Sequence, residues 1–170
     1  PPGYHEQADR LWPAILFLHG AGERGDDLAK VKTHGIPKRA ESGKDLPFVA
    51  ICPQCPPEHW WHSDDLVALL DDRLAALRID PDRVYLTGLS MGGFGTWATA
   101  IAYPQRFAAI APICGGGMPF LAYRIWNVPT WAFHGAKDEV VPPRYTEEMV
   151  DALRRAGGRP RLTIYPEAGH

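Results

Sequence analysis

Short apolar segments alternate with longer polar or amphipathic segments along most of this chain, and the alternation restricts its fold class. Six short runs have the composition of strands, at residues 14–18, 48–52, 83–87, 108–111, 130–133 and 161–165. Helices are predicted between them, around residues 27–42, 63–77, 91–103 and 144–156. Strands that alternate with helices imply right-handed crossovers. We therefore predict an α/β protein whose mostly parallel sheet has helices on both faces.

Length and charge exclude several classes of protein. With 170 residues the chain is expected to form one domain with a substantial core. A formal net charge of −2 offers no electrostatic footprint for nucleic acid or for an anionic membrane surface. No apolar run approaches the roughly 20 residues that span a bilayer. We therefore expect a small-molecule partner rather than nucleic acid or membrane, and the oligomeric state is not indicated.

A serine motif follows the third predicted strand. Residues 88–92 read GLSMG, and flanking glycines remove side chains where a strand and the following helix come close together. Ser90 can then adopt a strained backbone that lifts its hydroxyl above the sheet. Such a serine becomes a nucleophile only if a base accepts its proton and a third group orients that base.

Residues for both tasks follow the last two predicted strands. His170 comes after the final strand through residues 166–169, and Asp138 directly follows the preceding strand. Because carboxyl ends of parallel strands meet at one edge of a sheet, these side chains are expected near Ser90. Glu139 is the alternative acid. His19 and His134 are alternative bases, although a structural role beside their neighbouring glycines is the simpler interpretation.

The developing oxyanion of an acyl-transfer reaction needs backbone donors. The N–H of Met91, at the start of the helix after Ser90, is one candidate. The glycine-rich loop at residues 19–22 offers a second candidate, the N–H of Ala21.

Three segments in this order resemble the α/β-hydrolase superfamily: residues 18–26 (LHGAGERGD), 88–93 (GLSMGG) and 134–138 (HGAKD). They are most similar to its prolyl-oligopeptidase-related esterase branch, which includes feruloyl-esterase-like and polyhydroxybutyrate-depolymerase-like enzymes. The resemblance implies an α/β-hydrolase fold and ester hydrolysis through an acyl-enzyme, with no cofactor and no metal. It also favours a secreted protein. Family members carry extra strands before the first one found here and a helix after the catalytic histidine. We therefore expect residues 1–170 to be a single esterase domain excerpted from a longer polypeptide.

Three residues are predicted to line the substrate cleft. Trp61 is favoured over its neighbour Trp60, because adjacent residues of an extended loop face different ways. Val141 and Pro142, just after Asp138, are expected to form another wall, although ordinary loop packing explains them equally well.

The cysteines admit several interpretations. Cys52 and Cys55, with His59 and His62, superficially offer four zinc ligands, but two intervening prolines hinder a tetrahedral site. The same prolines disfavour a thioredoxin-like redox role. A disulfide between Cys55 and Cys114 is left open.

The sequence thus predicts a serine carboxylesterase acting on short-chain or aromatic-acyl esters, either small molecules or esters linked to polysaccharide. One alternative is a serine peptidase acting on short peptides. Another is a non-catalytic binding module that retains the hydrolase fold.

Overall fold

A single parallel sheet organises the computed structural model, which describes all residues from Pro1 to His170. Its six strands lie in the order β2-β1-β3-β4-β5-β6, and every neighbouring pair is parallel. The strands are β1 (Trp12–Leu18), β2 (Val49–Ile51), β3 (Ile79–Leu89), β4 (Ala109–Ile113), β5 (Trp131–Gly135) and β6 (Arg161–Tyr165). The predicted α/β class is confirmed, and each predicted apolar run contributes a strand.

The strand order reverses direction at β1, and this reversal determines on which face of the sheet each helix lies. The helices are α1 (Gly35–Glu41), α2 (Ser63–Ala76), α3 (Met91–Ala102) and α4 (Arg144–Arg155). The chain moves from β1 outward to β2, then passes back across β1 to β3 and continues outward to β6. Right-handed crossovers therefore put α1 on one face of the sheet and α2, α3 and α4 on the other. None of these helices has the length and apolar composition needed to cross a bilayer.

Side-chain packing agrees with that arrangement. Leu16 and Leu18 of β1 belong to a core cluster of 22 buried residues, which includes Leu70 of α2 and Trp97 of α3. On the other face of β1, the ring of Phe17 lies against Gly35 at the start of α1. The predicted helices on both faces are thus present, although that second face has only α1. Towards β5 and β6 it is partly exposed, and the exposed large side chains there include Trp131 and Tyr165.

One local prediction was wrong. Residues 27–42 do not form one helix, because Gly35 adopts a φ of 61° that interrupts it. A 3-10 turn (Lys30–Thr33) precedes α1 instead. At the start of α2, His62 occupies the cap position, and the Ser63 hydroxyl lies 3.2 Å from Thr99 Oγ1 of α3. Ser63 thus makes a polar contact between α2 and α3.

Candidate active site

Ser90 occupies a sharp turn between β3 and α3. Its backbone has φ 56° and ψ −121°, a conformation that residues other than glycine rarely adopt. The Ser90 N–H donates to the Ile113 carbonyl oxygen at 3.0 Å, which ties the turn to the end of β4. Strain of this kind persists only where the surroundings enforce it, and it is concentrated at functional sites.

The glycines beside Ser90 are required by close backbone approaches. A Cβ atom on Gly88 would overlap the carbonyl group of Gly92. A Cβ atom on Gly92 would overlap the carbonyl oxygen of Leu18 in β1. The turn can therefore form only when both positions lack a side chain, as the sequence motif predicts.

His170 lies between Ser90 and Asp138. Its Nε2 is 2.9 Å from Ser90 Oγ, and its Nδ1 is 2.7 Å from Asp138 Oδ2. The loop before His170 is tied to the segment after β5, because the N–H of Lys137 donates to the Ala168 carbonyl oxygen at 2.9 Å. The three side chains separated by up to 80 positions in sequence are thus brought into one hydrogen-bonded row.

Asp138 is held as a buried acceptor. Its Oδ1 accepts the N–H groups of Val140 and Val141 at 2.9 and 2.8 Å. Burial alone would raise the pKa of Asp138, but hydrogen bonds from His170 and from these two N–H groups outweigh burial and lower the pKa. Asp138 is therefore ionised at neutral pH. Glu139, the alternative acid, is exposed and forms no hydrogen bond with His170.

The two other candidate histidines are occupied elsewhere. His19 is buried, with Nδ1 2.6 Å from the Gly20 carbonyl oxygen and Nε2 accepting the N–H of Cys55 at 3.0 Å. Burial lowers the pKa of His19, which favours the neutral imidazole.

His134 is also buried and contacts the hydroxyl of Thr146 and the carbonyl oxygen of Val141, each at 2.7 Å. Its Nε2 lies 3.3 Å from Asp138 Oδ2, so it packs behind the acid rather than against Ser90. Both histidines thus hold loops together, and His170 is the histidine beside the serine.

The two candidate oxyanion donors begin helical turns. Met91 is the first residue of α3, and Ala21 is the first residue of a 3-10 turn (Ala21–Glu23). N–H groups at such positions have no acceptor within their own turn. Ala21 also lines the same cavity as Ser90. Both N–H groups are therefore available at the start of the turns that flank the serine.

A cavity of about 660 Å³ opens beside Ser90 at the carboxyl ends of the strands. The predicted wall residues Trp61, Val141 and Pro142 do not line it. Trp61 instead donates from Nε1 to the His19 carbonyl oxygen at 3.1 Å and packs against the hydrophobic core. Val141 is buried and its N–H donates to Asp138 Oδ1, and its exposed neighbour Val140 lines the cavity in its place.

Glu23 and Cys114 are among the cavity residues that were not anticipated from the sequence. Glu23 lies within the segment LHGAGERGD, where the prediction considered only backbone donors. Cys114 follows β4, and its position depends on pairing between β3 and β4 that the motif alone does not reveal. The sequence feature that could have indicated a role for Glu23 is its position as a charged residue in a glycine-rich loop.

The cysteines do not have the environment of a redox-active pair. All three cysteines are free, so Cys55 and Cys114 are not paired. Burial raises the pKa of Cys52 to about 12 and also raises the pKa of Cys55, opposite to the lowering typical of redox-active pairs.

Cys114 is the thiol closest to the proposed chemistry. Burial raises its pKa, so it remains a neutral thiol beside Ser90. Potential ligand atoms of Cys114, Asp138 and His170 lie within 4.8 Å of one another, which is close enough for them to share a metal ion. His170 and Asp138 already hydrogen-bond to each other there.

This strand order, with a serine turn after β3 and an acid and a histidine after β5 and β6, defines an α/β-hydrolase. The sequence model of the dienelactone hydrolase family matches residues 57–170. The chain therefore belongs to the dienelactone hydrolase family.

Solved structures support the same fold. A thermostable esterase superimposes with a TM-score of 0.79 at 35% identity, covering 92% of this chain and 47% of the esterase. A ferulic acid esterase gives a TM-score of 0.75 at 16% identity, covering 100% of this chain and 82% of that enzyme. The superfamily resemblance predicted from the sequence is confirmed.

Curated relatives match parts of the chain. A bifunctional acetylxylan esterase/xylanase of Neocallimastix patriciarum is 36% identical over 154 residues, which cover 84% of this chain and 22% of that protein. A candidate carboxymethylenebutenolidase of Salmonella typhimurium is 31% identical over 100 residues, covering 54% of this chain. A poly(3-hydroxyalkanoate) depolymerase of Paucimonas lemoignei is 52% identical over 48 residues, covering 28% of this chain and 12% of that enzyme. The aligned residues span 37% of the Salmonella protein, little more than a third of its length.

Proposed function

We propose that this protein is a serine carboxylesterase that forms an acyl-enzyme on Ser90. The observation that supports this most strongly is the position of His170, which contacts both the Ser90 hydroxyl and the Asp138 carboxylate. A serine, its base and the group that orients the base are the minimum set for nucleophilic acyl transfer.

In the first half of the reaction, His170 Nε2 accepts the proton as Ser90 Oγ attacks the carbonyl carbon of the ester. The N–H groups of Ala21 and Met91 donate to the resulting oxyanion. His170 then gives its proton to the leaving alcohol oxygen as the carbon–oxygen bond breaks. Asp138 stabilises the imidazolium that exists between these two steps.

In the second half, water replaces the alcohol. His170 accepts a proton from the water as its oxygen attacks the acyl-enzyme carbonyl, and Ser90 then leaves as its hydroxyl with the proton returned by His170. The products are a carboxylic acid and an alcohol. Every proton transfer uses the same imidazole nitrogen, so no metal or cofactor is needed in this mechanism.

The proposed substrates are short-chain or aromatic-acyl esters, free or attached to polysaccharide. A cavity of about 660 Å³ is large enough for small acyl groups. The similarity to an acetylxylan esterase and to a ferulic acid esterase supports both members of this substrate class. The similarity to these two esterases also supports the predicted preference for esters over peptides.

A panel of acetyl, butyryl, octanoyl and feruloyl esters tests this proposal, with Ser90→Ala as the paired variant. We expect hydrolysis of at least one short or aromatic ester and loss of that activity in Ser90→Ala with its fold retained by circular dichroism. Activity retained in the folded Ser90→Ala variant would contradict the mechanism.

A further inference from the structure

A carboxylate in the cavity wall has no part in the chemistry described above. Glu23 lines the cavity, is only 8% exposed, and its Oε2 accepts no hydrogen bond from the protein. A buried polar atom without a partner is unfavourable and requires an explanation. Glu23 thus has an unused capacity to accept a hydrogen bond.

Glu23 lies close to Ser90. A Cβ atom built on Gly20 would be 3.3 Å from Glu23 Oε2 and 3.5 Å from Ser90 Cβ. One small residue of the oxyanion loop therefore separates the two side chains. A group that reaches Glu23 must lie within a few bonds of an ester carbonyl at Ser90.

His19, the nearest buried nitrogen donor, does not satisfy Glu23. Its Nδ1 is 3.9 Å from Glu23 Oε2, beyond hydrogen-bond distance. Both ring nitrogens of His19 are already engaged with the backbone, one with the Gly20 carbonyl oxygen and the other with the Cys55 N–H.

The remaining neighbours are also committed or distant. His34 Nε2 is 3.6 Å from Glu23 Oε1, and its side chain is more than half exposed. Arg24 donates instead to the carbonyl oxygens of Ala21 and His59. The Oε2 atom of Glu23 therefore has no hydrogen-bond partner within the protein.

We propose that Glu23 determines substrate specificity by accepting a hydrogen bond from a hydroxyl group of the ester. This inference rests on the proposed hydrolysis at Ser90. The terminal torsion of a glutamate is broad, so the carboxylate can turn towards a donor in the cavity. The hydroxyl belongs within a few bonds of the scissile ester, either on the acyl part, as in a 3-hydroxyacyl ester, or beside the ester on the alcohol part.

Matched ester pairs test this inference on the unmodified protein. Methyl 3-hydroxybutanoate is compared with methyl 3-methoxybutanoate for the acyl side, and 2-hydroxyethyl acetate with 2-methoxyethyl acetate for the alcohol side. Each methoxy partner retains the oxygen but has lost the donor hydrogen. We expect kcat/KM to favour the hydroxyl ester in at least one pair by about tenfold or more, since a buried acceptor that is left without a donor is unfavourable.

Variants assign that preference to Glu23. Glu23→Met removes the acceptor with little change in length and should reduce the preference to about twofold or less. Glu23→Gln retains a neutral acceptor and should give an intermediate ratio. Glu41→Gln is the matched control, because Glu41 pairs with Lys32 on the surface outside the cavity and its loss should leave the ratio unchanged.

The ratio separates specificity from a structural role. If Glu23 only supports the loop, the variants will lower kcat/KM for both members of each pair equally, and the inference is overturned. If Glu23→Met does not fold, the wild-type ratios and Glu23→Gln still decide the question.

A third comparison tests whether the hydrogen-bond donor to Glu23 is a hydroxyl or an ammonium group. Stronger selection of methyl 3-aminobutanoate than of the 3-hydroxy ester would overturn the assignment to a hydroxyl and indicate an ammonium site. Equal rates for both members of each pair in the wild-type protein would overturn the inference while leaving the esterase proposal intact. If no ester is hydrolysed, p-nitrophenyl acetate included, both proposals are overturned.

Discussion

Asp138 Oδ2 lies 2.7 Å from Nδ1 of His170, and this contact decides which imidazole nitrogen faces Ser90. An ionised carboxylate can only accept hydrogen bonds, so Nδ1 of His170 must donate. The lone pair of the neutral ring is then on Nε2, which is 2.9 Å from Ser90 Oγ. Asp138 thus fixes the tautomer of His170 in which Nε2 can accept the proton of Ser90.

Replacing Asp138 with asparagine tests the consequence of that contact. Asp138→Asn can donate to Nδ1 and favour the wrong tautomer of His170, so kcat for a p-nitrophenyl ester should fall by about 10³–10⁴-fold. Steady-state kinetics at neutral pH measure the loss. The control is Glu139→Gln, which removes the exposed neighbouring acid and should retain activity within about twofold. A large loss in the control with little loss in Asp138→Asn would reverse the assignment of the acid.

The pH dependence of stability provides a separate test of Asp138. Because the folded protein holds the pKa of Asp138 below its ordinary value, the ionised side chain stabilises the fold at neutral pH. That contribution is fully present above the unfolded pKa of about 4 and is lost as pH falls through the lower folded pKa. Urea unfolding of the wild type should therefore show a steeper loss of free energy of unfolding below about pH 5 than Asp138→Asn shows. Parallel curves would contradict the lowered pKa.

A methyl group at Gly92 should damage the fold at the serine turn. In Gly92→Ala the new Cβ would overlap the Leu18 carbonyl oxygen, and the backbone cannot move without disturbing β1. We expect the free energy of unfolding to fall by about 3 kcal/mol. The midpoint of thermal unfolding should then fall by roughly 6–12 °C.

Gly22→Ala is the control for that substitution. No atom lies within 4 Å of a Cβ built on Gly22, so its free energy of unfolding should change by about 1 kcal/mol or less. Equal effects of the two substitutions would show that close approach is not what requires Gly92.

The parts of the site that depend on strand ends could be predicted from the sequence. Parallel strands expose their carboxyl ends at one edge, so residues directly after apolar runs converge wherever the sheet is parallel. Ser90, Asp138 and His170 all follow strands in this way, and the structure brings them together. The need for glycine at positions 88 and 92 could also be predicted, because a close backbone approach leaves no room for a side chain.

Residues on irregular segments could not be predicted in the same way. The orientation of Trp61 is set by the His19 carbonyl oxygen, which is 42 positions distant in sequence. The break before α1 depends on the left-handed backbone of Gly35, which lies against the Phe17 ring. The orientation of Trp61 and the break at Gly35 both follow from contacts between separate elements. Local sequence pattern and propensity do not reveal such contacts.

The central claim is that Ser90 is an activated nucleophile, and mass spectrometry after fluorophosphonate treatment tests it most directly. We expect one covalent adduct per chain, found on the peptide that contains Ser90, and none in Ser90→Ala. The rate of labelling should also fall in Asp138→Asn, because the base is then misaligned. An unmodified Ser90 in the folded wild-type protein, or an adduct at another residue, would contradict the account.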